Sequence, residues 1–409
     1  MDAVVHPRNI SAALKRVTKN KGSPGIDGMT VDQLPAHLRA HWDATREQLL
    51  AGRYRPRAVL RRQIPKSGGG LRDLGIPCVL DRLIQQAILQ VLQPHFDPTF
   101  SEHSYGFRPG RSAHGAIGAA QRYAQSGREW VVDVDLEKFF DRVNHDVLMG
   151  RLAKRIADPR LLRLIRRYLE AGVLADGVVI ERHEGTPQGG PLSPLLANVL
   201  LDDVDQELER RGHAFVRYAD DCNVYVRSRR AAERVMELLE RLYAALRLRI
   251  NTTKSAVALA WHRKFLGYCL RKKRSGDVQL AVAPEALASL KDEIRARTRR
   301  SGGRSITQVI AALAEYLRGW KGYFRYAQQR YSLQLIDEWL RHRLRAIHLK
   351  HWRRGRAVLR ALRALGVPEE RARRVARSGA GGWRASGSIL HLALPIAYFR
   401  KLGLPELAA

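Results

Sequence analysis

The stretch His213-Ala-Phe-Val-Arg217-Tyr218-Ala219-Asp220-Asp221-Cys222-Asn-Val-Tyr-Val226 decides how the chain folds. Two short runs rich in β-branched and aromatic residues flank Tyr218-Ala219-Asp220-Asp221. This pattern predicts a hairpin with both aspartates at its turn. Turns favour Asp for backbone reasons alone, so the pair by itself decides little. Adjacent carboxylates nevertheless repel each other and add nothing to a core. The commonest compensating cation is Mg2+, which takes one or two carboxylates together with substrate phosphates.

A second acidic cluster gives the pair its meaning. In Trp130-Val-Val-Asp133-Val-Asp135-Leu-Glu137-Lys-Phe-Phe140-Asp141, apolar and acidic residues alternate from Val131 to Leu136. The alternation predicts a strand with Asp133 and Asp135 on one face and valines toward a core. A merely solvated edge would explain poorly why two aromatics, Phe139 and Phe140, follow at once. Asp135 lies 85 positions before Asp220, so any joint site is made by the fold. Carboxylates converging from two strands are the usual frame for two-metal phosphoryl transfer, with ions roughly 3.5–4 Å apart.

Size and charge narrow the partners. The chain has 409 residues, 45% of them hydrophobic, and a formal net charge of +32. That length supports two or three domains with real cores. The basic excess favours a polyanion, because Lys and Arg release counterions condensed on phosphates. An anionic membrane is the rival, but no apolar stretch approaches the ~20 residues needed to span a bilayer. Met1 to Arg16 lacks a continuous apolar segment, so no signal peptide is expected. Cys78, Cys222 and Cys269 are far apart, which suggests neither a disulfide framework nor a zinc site. A reducing, cytoplasmic setting fits.

Charge is also uneven. Residues 284–409 hold 26 Lys and Arg against 9 Asp and Glu, while the first 283 hold 46 against 31. The acids therefore gather where the metal site is expected, and a basic helical module follows. A turn-dense loop spans 20–28, after a short amphipathic helix. A glycine-rich hairpin spans Ile64 to Pro77, where Lys66 and Arg72 could wrap a triphosphate or simply be solvated. The periodicity from Asp81 to Gln93 predicts a helix ended by Pro94. Helices are also expected from Asp146 to Glu170, broken at Asp158-Pro159, from Leu195 to Leu208, and from Ala231 to Leu246. Past Pro284, aromatics from Trp320 to Trp352 alternate with Arg318, Lys321, Arg325, Arg330, Arg341 and Lys350. Most of those aromatics are expected in the core and the arginine faces on nucleic acid. The segment from Arg371 to Gly387 has the composition of an irregular basic linker.

In this order the blocks resemble the reverse transcriptase/maturase proteins encoded by group II introns, most of all the compact bacterial group IIC-type members. The likeness runs from about Asn20 to the Ala397–Leu404 block. It implies an α+β right-hand polymerase: fingers and a palm with an antiparallel sheet over 1–283, an all-helical thumb or maturase-specific domain over 284–355, and a small basic DNA/RNA-binding region over 356–409. It implies that Asp135, Asp220 and Asp221 are catalytic and hold two Mg2+ ions. Lys66 and Arg72 match the residues that grip the triphosphate, Phe140 the gate that excludes a ribose 2′-OH, and Gln188 and Lys254 further nucleotide contacts. Gly267, in Phe265-Leu-Gly-Tyr268, falls where the family grips the primer end. Arg108, Arg111, Arg318, Lys321, Arg325, Arg341, Arg345 and Lys350 are the expected nucleic-acid contacts. The implied function is RNA-directed DNA synthesis on an intron RNA template from a DNA primer with dNTPs, together with assistance to splicing. No cysteine-paired His-Asn-His module is seen, so primers made elsewhere are expected. Two alternatives stay open: a non-catalytic splicing cofactor, against which the intact acids and Phe140 speak, and a reverse transcriptase co-opted for phage defence or spacer acquisition.

Overall fold

In a computed structural model of the chain, the residues described are 1–65, 70–175, 178–180, 184–186, 189–299, 303–352, 354–377 and 390–408. They form two units, Met1–Arg263 and Lys264–Ala409. The strands are β1 Val59–Pro65, β2 Leu71–Ile76, β3 Trp130–Val134, β4 Val173–Ala175, β5 Val178–Ile180, β6 Ala214–Tyr218, β7 Asp221–Val226, β8 Ala256–Leu259, β9 Lys264–Phe265, β10 Tyr268–Lys272 and β11 Val278–Val282.

The first unit is built on two sheets. One has the order β6-β7-β3-β8 and is antiparallel throughout. Its inner residues, Val132, Val134, Phe215 and Val224, are buried with Leu148, Leu200, Leu201 and Leu239 from the helices. The strand expected from the alternating pattern is therefore present, in an antiparallel sheet of the kind the resemblance implies. The other sheet has the order β2-β1-β4-β5. There β1 and β2 make the expected glycine-tipped hairpin, and β4 joins β1 in parallel. The short strands β4 and β5 carried no clear alternation and were not foreseen.

Helix boundaries mostly follow their punctuation. Pro159 opens the Pro159–Glu170 helix, whose N-cap Asp158 accepts from the backbone N–H groups of Arg160 and Leu161. Ser193–Arg210 starts with Pro194 in its first turn. Pro94 does not end its helix, which runs from Val79 to Phe96. A proline in the last turn removes only one intrahelical bond, and the Asp97 N–H donates to the Gln93 carbonyl beyond it.

The second unit has its own core. Leu290, Ile294, Leu313, Leu317, Leu340 and Leu344 pack between the helices Pro284–Arg297, Ile306–Tyr323 and Arg330–Trp352. The sheet β11-β10-β9 belongs to this unit: Tyr268 of β10 donates through its hydroxyl to the Tyr323 carbonyl at 2.5 Å. The contact boundary thus falls between Arg263 and Lys264, earlier than the composition change at Pro284. Glu369–Arg377 is a helix, not irregular chain. It buries Ala372 and Val375, and Glu369 pairs with Arg373 at 2.7 Å. Residues 378–387 of that stretch lie outside the described ones. Among the described residues, no helix is long and apolar enough to cross a membrane.

Candidate active site

Strand register brings the two acidic clusters together. In the β3–β7 ladder Val134 faces Cys222. Antiparallel pairing carried one step further sets Asp135, just past the end of β3, beside Asp221 at the start of β7. Asp135 is fixed there by its backbone: its N–H donates to Ser255 Oγ (3.0 Å), and its carbonyl accepts from the Asn251 N–H (2.9 Å). Asp220 occupies the two-residue turn between β6 and β7, after Ala219 at φ 58°.

The charges behave as a cluster. Burial pushes the Asp221 carboxyl up to about 7, helped by the repulsion of Asp220, Asp135 and Asp133 and opposed by Lys254. Lys254 Nζ stands 3.3 and 3.4 Å from the two Asp135 oxygens. Asp133 is held apart by Arg263, whose Nε donates to it at 2.7 Å. Among the described residues, no three His, Cys, Asp or Glu side chains stand together as metal ligands. With Asp135 turned onto Lys254 and Asp133 onto Arg263, the cations present are side chains. The donor set still suits a hard divalent ion: oxygen ligands only, and one carboxyl raised by burial and by its acidic neighbours.

Beneath the turn lies a polar network that the sequence did not announce. Arg217 and Asp205 are both fully buried. Arg217 Nε donates to both Asp205 oxygens (2.8 and 2.9 Å) and Nη2 to Oδ2 (2.5 Å). Nη1 donates to Asn198 Oδ1 (2.9 Å) and to the Ala219 carbonyl (2.8 Å), and Nη2 also to Ser104 Oγ (2.8 Å). Asn198 in turn donates to the Gly106 carbonyl (3.0 Å). Gly106 packs so closely under the turn that a Cβ there would lie 2.2 Å from the Ala219 nitrogen. Burial raises the Asp205 carboxyl, and the facing guanidinium opposes that rise. One signal could have found the network. Asn198 and Asp205 lie seven apart, hence on one helical face, which Asp202 shares and which Leu201 and Leu208 turn toward the core.

The remaining expected residues divide. Phe140 is half-buried, edge-on to Phe139 at 5.1 Å, and its carbonyl accepts from the Thr186 N–H (2.7 Å). Lys66 and Gln188 lie outside the described residues, as does the Arg72 side chain. The Arg72 backbone pairs with Ile64 in the β1–β2 hairpin. Gly189, next to Gln188, lies against β2, where an added Cβ would be 2.6 Å from the Gly75 oxygen. Arg108 is corrected: it is buried, donating to Asp97 Oδ1 (2.9 Å) and to the carbonyls of Asp97, Ser101 and Ser104. It ties a loop together, with four of its five N–H groups committed there. Arg111 is half-buried, donates to the Glu102 carbonyl and lies over the Tyr105 ring.

In the second unit, Gly267 has φ 78° and lies against the Phe324 ring. Arg318 and Lys350 are exposed, Arg341 is half-buried, and Lys321 donates to the Glu406 carbonyl. Arg325 is exposed and stacks over the Tyr326 ring. Arg345 is corrected: it is buried and donates from Nε and Nη2 to the Leu394 carbonyl (3.1 and 3.0 Å). Trp320, Tyr323, Phe324, Trp339 and Trp352 are half-buried, whereas Tyr326 and Tyr331 are exposed, so the aromatic series is less of a core than its spacing suggests.

Comparison with known proteins identifies the family of the chain. The model of the reverse transcriptase (RNA-dependent DNA polymerase) family matches residues 64–270, and that of the group II intron maturase-specific domain matches residues 287–365. The chain is 33% identical to protein YkfC of Escherichia coli over 317 residues, 66% of this chain and 82% of that one. It is 29% identical to the group II intron-encoded protein LtrA of Lactococcus lactis over 368 residues, 71% of this chain and 61% of that one. Among solved structures, telomerase from Candida albicans is similar over 72% of this chain and 60% of its own, at 14% identity and a TM-score of 0.45.

Proposed function

This chain belongs to the reverse transcriptase family and carries the maturase-specific domain of group II introns, and from that premise we propose how its residues make DNA on an RNA template. It is an RNA-directed DNA polymerase that also binds intron RNA and assists splicing. The observation that carries the assignment of the site is the β3–β7 register. It sets Asp135 beside Asp220-Asp221 and leaves the Asp221 carboxyl raised to about 7 by burial and by its acidic neighbours.

Asp135, Asp220 and Asp221 would hold two Mg2+ ions, which supply Lewis-acid activation of the primer 3′-oxygen and charge neutralisation on the phosphates. Everything else falls to the protein. Lys254, beside Asp135, contributes its ammonium to the binding of the triphosphate. Lys66 and Arg72 grip the phosphates from the β1–β2 hairpin, and Gln188 borders the base. Phe140 stands where a 2′-OH would collide. Residues 1–283 act as fingers and palm, 284–355 as thumb, and 356–409 as a basic nucleic-acid-binding region. The exposed cations Arg318, Arg325 and Lys350, with Arg341, track intron RNA. The DNA primer and dNTPs complete the partners. Free cysteines, two of them buried, fit a cytoplasmic protein.

The test is Asp220→Asn. It removes one ligand charge in the first unit and leaves every basic side chain intact. Primer extension in Mg2+ should vanish while RNA affinity and protein-assisted splicing stay near wild type. Extension within about tenfold of wild type, a barrier change near 1.4 kcal/mol, would overturn the assignment.

A further inference from the structure

The turn that carries Asp220 has an unfavourable backbone. Two-residue hairpin loops in which only the first residue has positive φ normally place glycine there. Here that residue is Ala219, at φ 58°. Something must hold it, and the guanidinium beneath supplies the hold. Arg217 has five N–H donors, and all are used. Nε–H goes to Asp205, the Nη2 pair to Asp205 and Ser104, and the Nη1 pair to Asn198 and the Ala219 carbonyl. The backbone of Arg217 is stitched in as well: its N–H donates to the His103 carbonyl (2.9 Å), and its carbonyl accepts from the Tyr105 N–H (2.8 Å).

Fold stability alone does not account for a fully buried ion pair, since apolar residues of similar volume are commonly as good or better in its place. What an apolar side chain lacks is a donor for the Ala219 carbonyl. That carbonyl belongs to the peptide joining Ala219 to Asp220, so fixing it fixes the plane from which the Asp220 side chain leaves the backbone.

We propose that Arg217, braced by Asp205, Asn198 and Ser104, is a positioning residue that sets the aim of the Asp220 carboxylate; this rests on Asp220 being catalytic. Asp205 fixes the guanidinium plane, and the remaining Nη1 hydrogen transmits that orientation to the turn. Lysine could answer Asp205 but, as a point charge, could not also reach the turn in a fixed plane.

Two variants of the full chain test this by single-nucleotide insertion on an RNA template. Arg217→Lys keeps the buried charge paired. Arg217→Met combined with Asp205→Leu removes both charges and keeps apolar volume. In each folded variant kcat should fall by about ten- to a hundredfold, the loss a small misplacement in an active site produces. The KM for dNTP and the affinity for RNA should stay within about twofold, and the double variant should still melt cooperatively, lowered only by the donor that Asn198, Ser104 and the Ala219 carbonyl lose. A general loss of structure would move KM, affinity and melting together. A folded variant of either kind that keeps kcat within about threefold of wild type overturns the proposal. If only Arg217→Lys folds, its kcat decides. If neither folds, the pair serves stability alone and the proposal is overturned. A wild-type chain that extends no primer overturns the catalytic assignment and this inference with it. Active wild type, inactive Asp220→Asn and fully active Arg217 variants overturn this inference only.

Discussion

Arg217 and Arg345 are both buried, one on the strand leading into the acidic turn and the other midway along the Arg330–Trp352 helix, yet their surroundings share little. Arg217 meets a carboxylate, an amide oxygen, a hydroxyl and a carbonyl. Arg345 meets one carbonyl, that of Leu394, and the ring of Phe399 at 5.8 Å. Burial, with added repulsion from Arg341, brings Arg345 down to about 10. Its unit is also the more positive: residues 264–409 hold 31 Lys and Arg against 10 Asp and Glu, while residues 1–263 hold 41 against 30. The contrast teaches that in a chain of +32 an arginine's role follows from its nearest acceptor, not from its basic neighbours in sequence.

The sharpest way to break the contrast is to remove the acceptor in one environment and the donor in the other. Asp205→Ala leaves Arg217 charged and unpaired in the core, which should cost about 3–5 kcal/mol. Arg345→Met gives up hydrogen bonds to a single carbonyl, worth about 1 kcal/mol net, because a strained charge leaves with them. Urea denaturation of both variants decides it, and equal losses would erase the distinction.

A buried charge answered by hydroxyls lies between the two. Asp81 accepts from Tyr54 Oη (2.8 Å), Tyr168 Oη (3.2 Å) and the Arg57 N–H (3.2 Å), and burial raises it from 3.8 to about 6. The native state therefore binds more protons than the unfolded chain between those values. The contribution of Asp81 to stability must fall as pH rises through that window, by roughly 2–3 kcal/mol in all. Asp81→Asn should flatten that limb of the stability profile between about pH 4 and pH 6. A variant curve parallel to wild type would place the charge elsewhere.

The smallest effect concerns RNA. Arg341→Gln with Lys350→Gln should make the log–log salt slope of RNA binding shallower by about one to two units. Adding Arg345→Gln should change it no further, because that side chain is spent on Leu394. A third step of similar size would mean that Arg345 leaves its carbonyl when RNA arrives.

These cases also mark what the sequence could and could not tell. The acidic turn and the alternating strand before Leu136 were legible because period-two alternation and turn chemistry are local. Their convergence needed the ladder, but two clusters of the right kind already implied it. Arg108 and Arg345 were misassigned because their acceptors are mainly backbone carbonyls, which composition does not show. Arg217 was passed over because its partners Asp205, Asn198 and Ser104 lie 12, 19 and 113 positions away. Only the polar series Asn198, Asp202 and Asp205 at helical spacing, beside Leu201 and Leu208, was visible. Pro94 misled because its position within the last turn, and not its identity, decides whether a helix ends.

Gly106 has a genetic consequence. Its missing side chain is what lets the loop slide under the Ala219 nitrogen, where an added Cβ would stand at 2.2 Å against backbone that cannot swing away. Any missense change there must displace the turn, whatever residue it introduces. A lineage that abandons DNA synthesis while keeping its RNA partner thus has an exit besides its acids, and one that leaves every charge in the chain in place. Such a change would escape any survey that judges polymerase competence by Asp135, Asp220 and Asp221 alone.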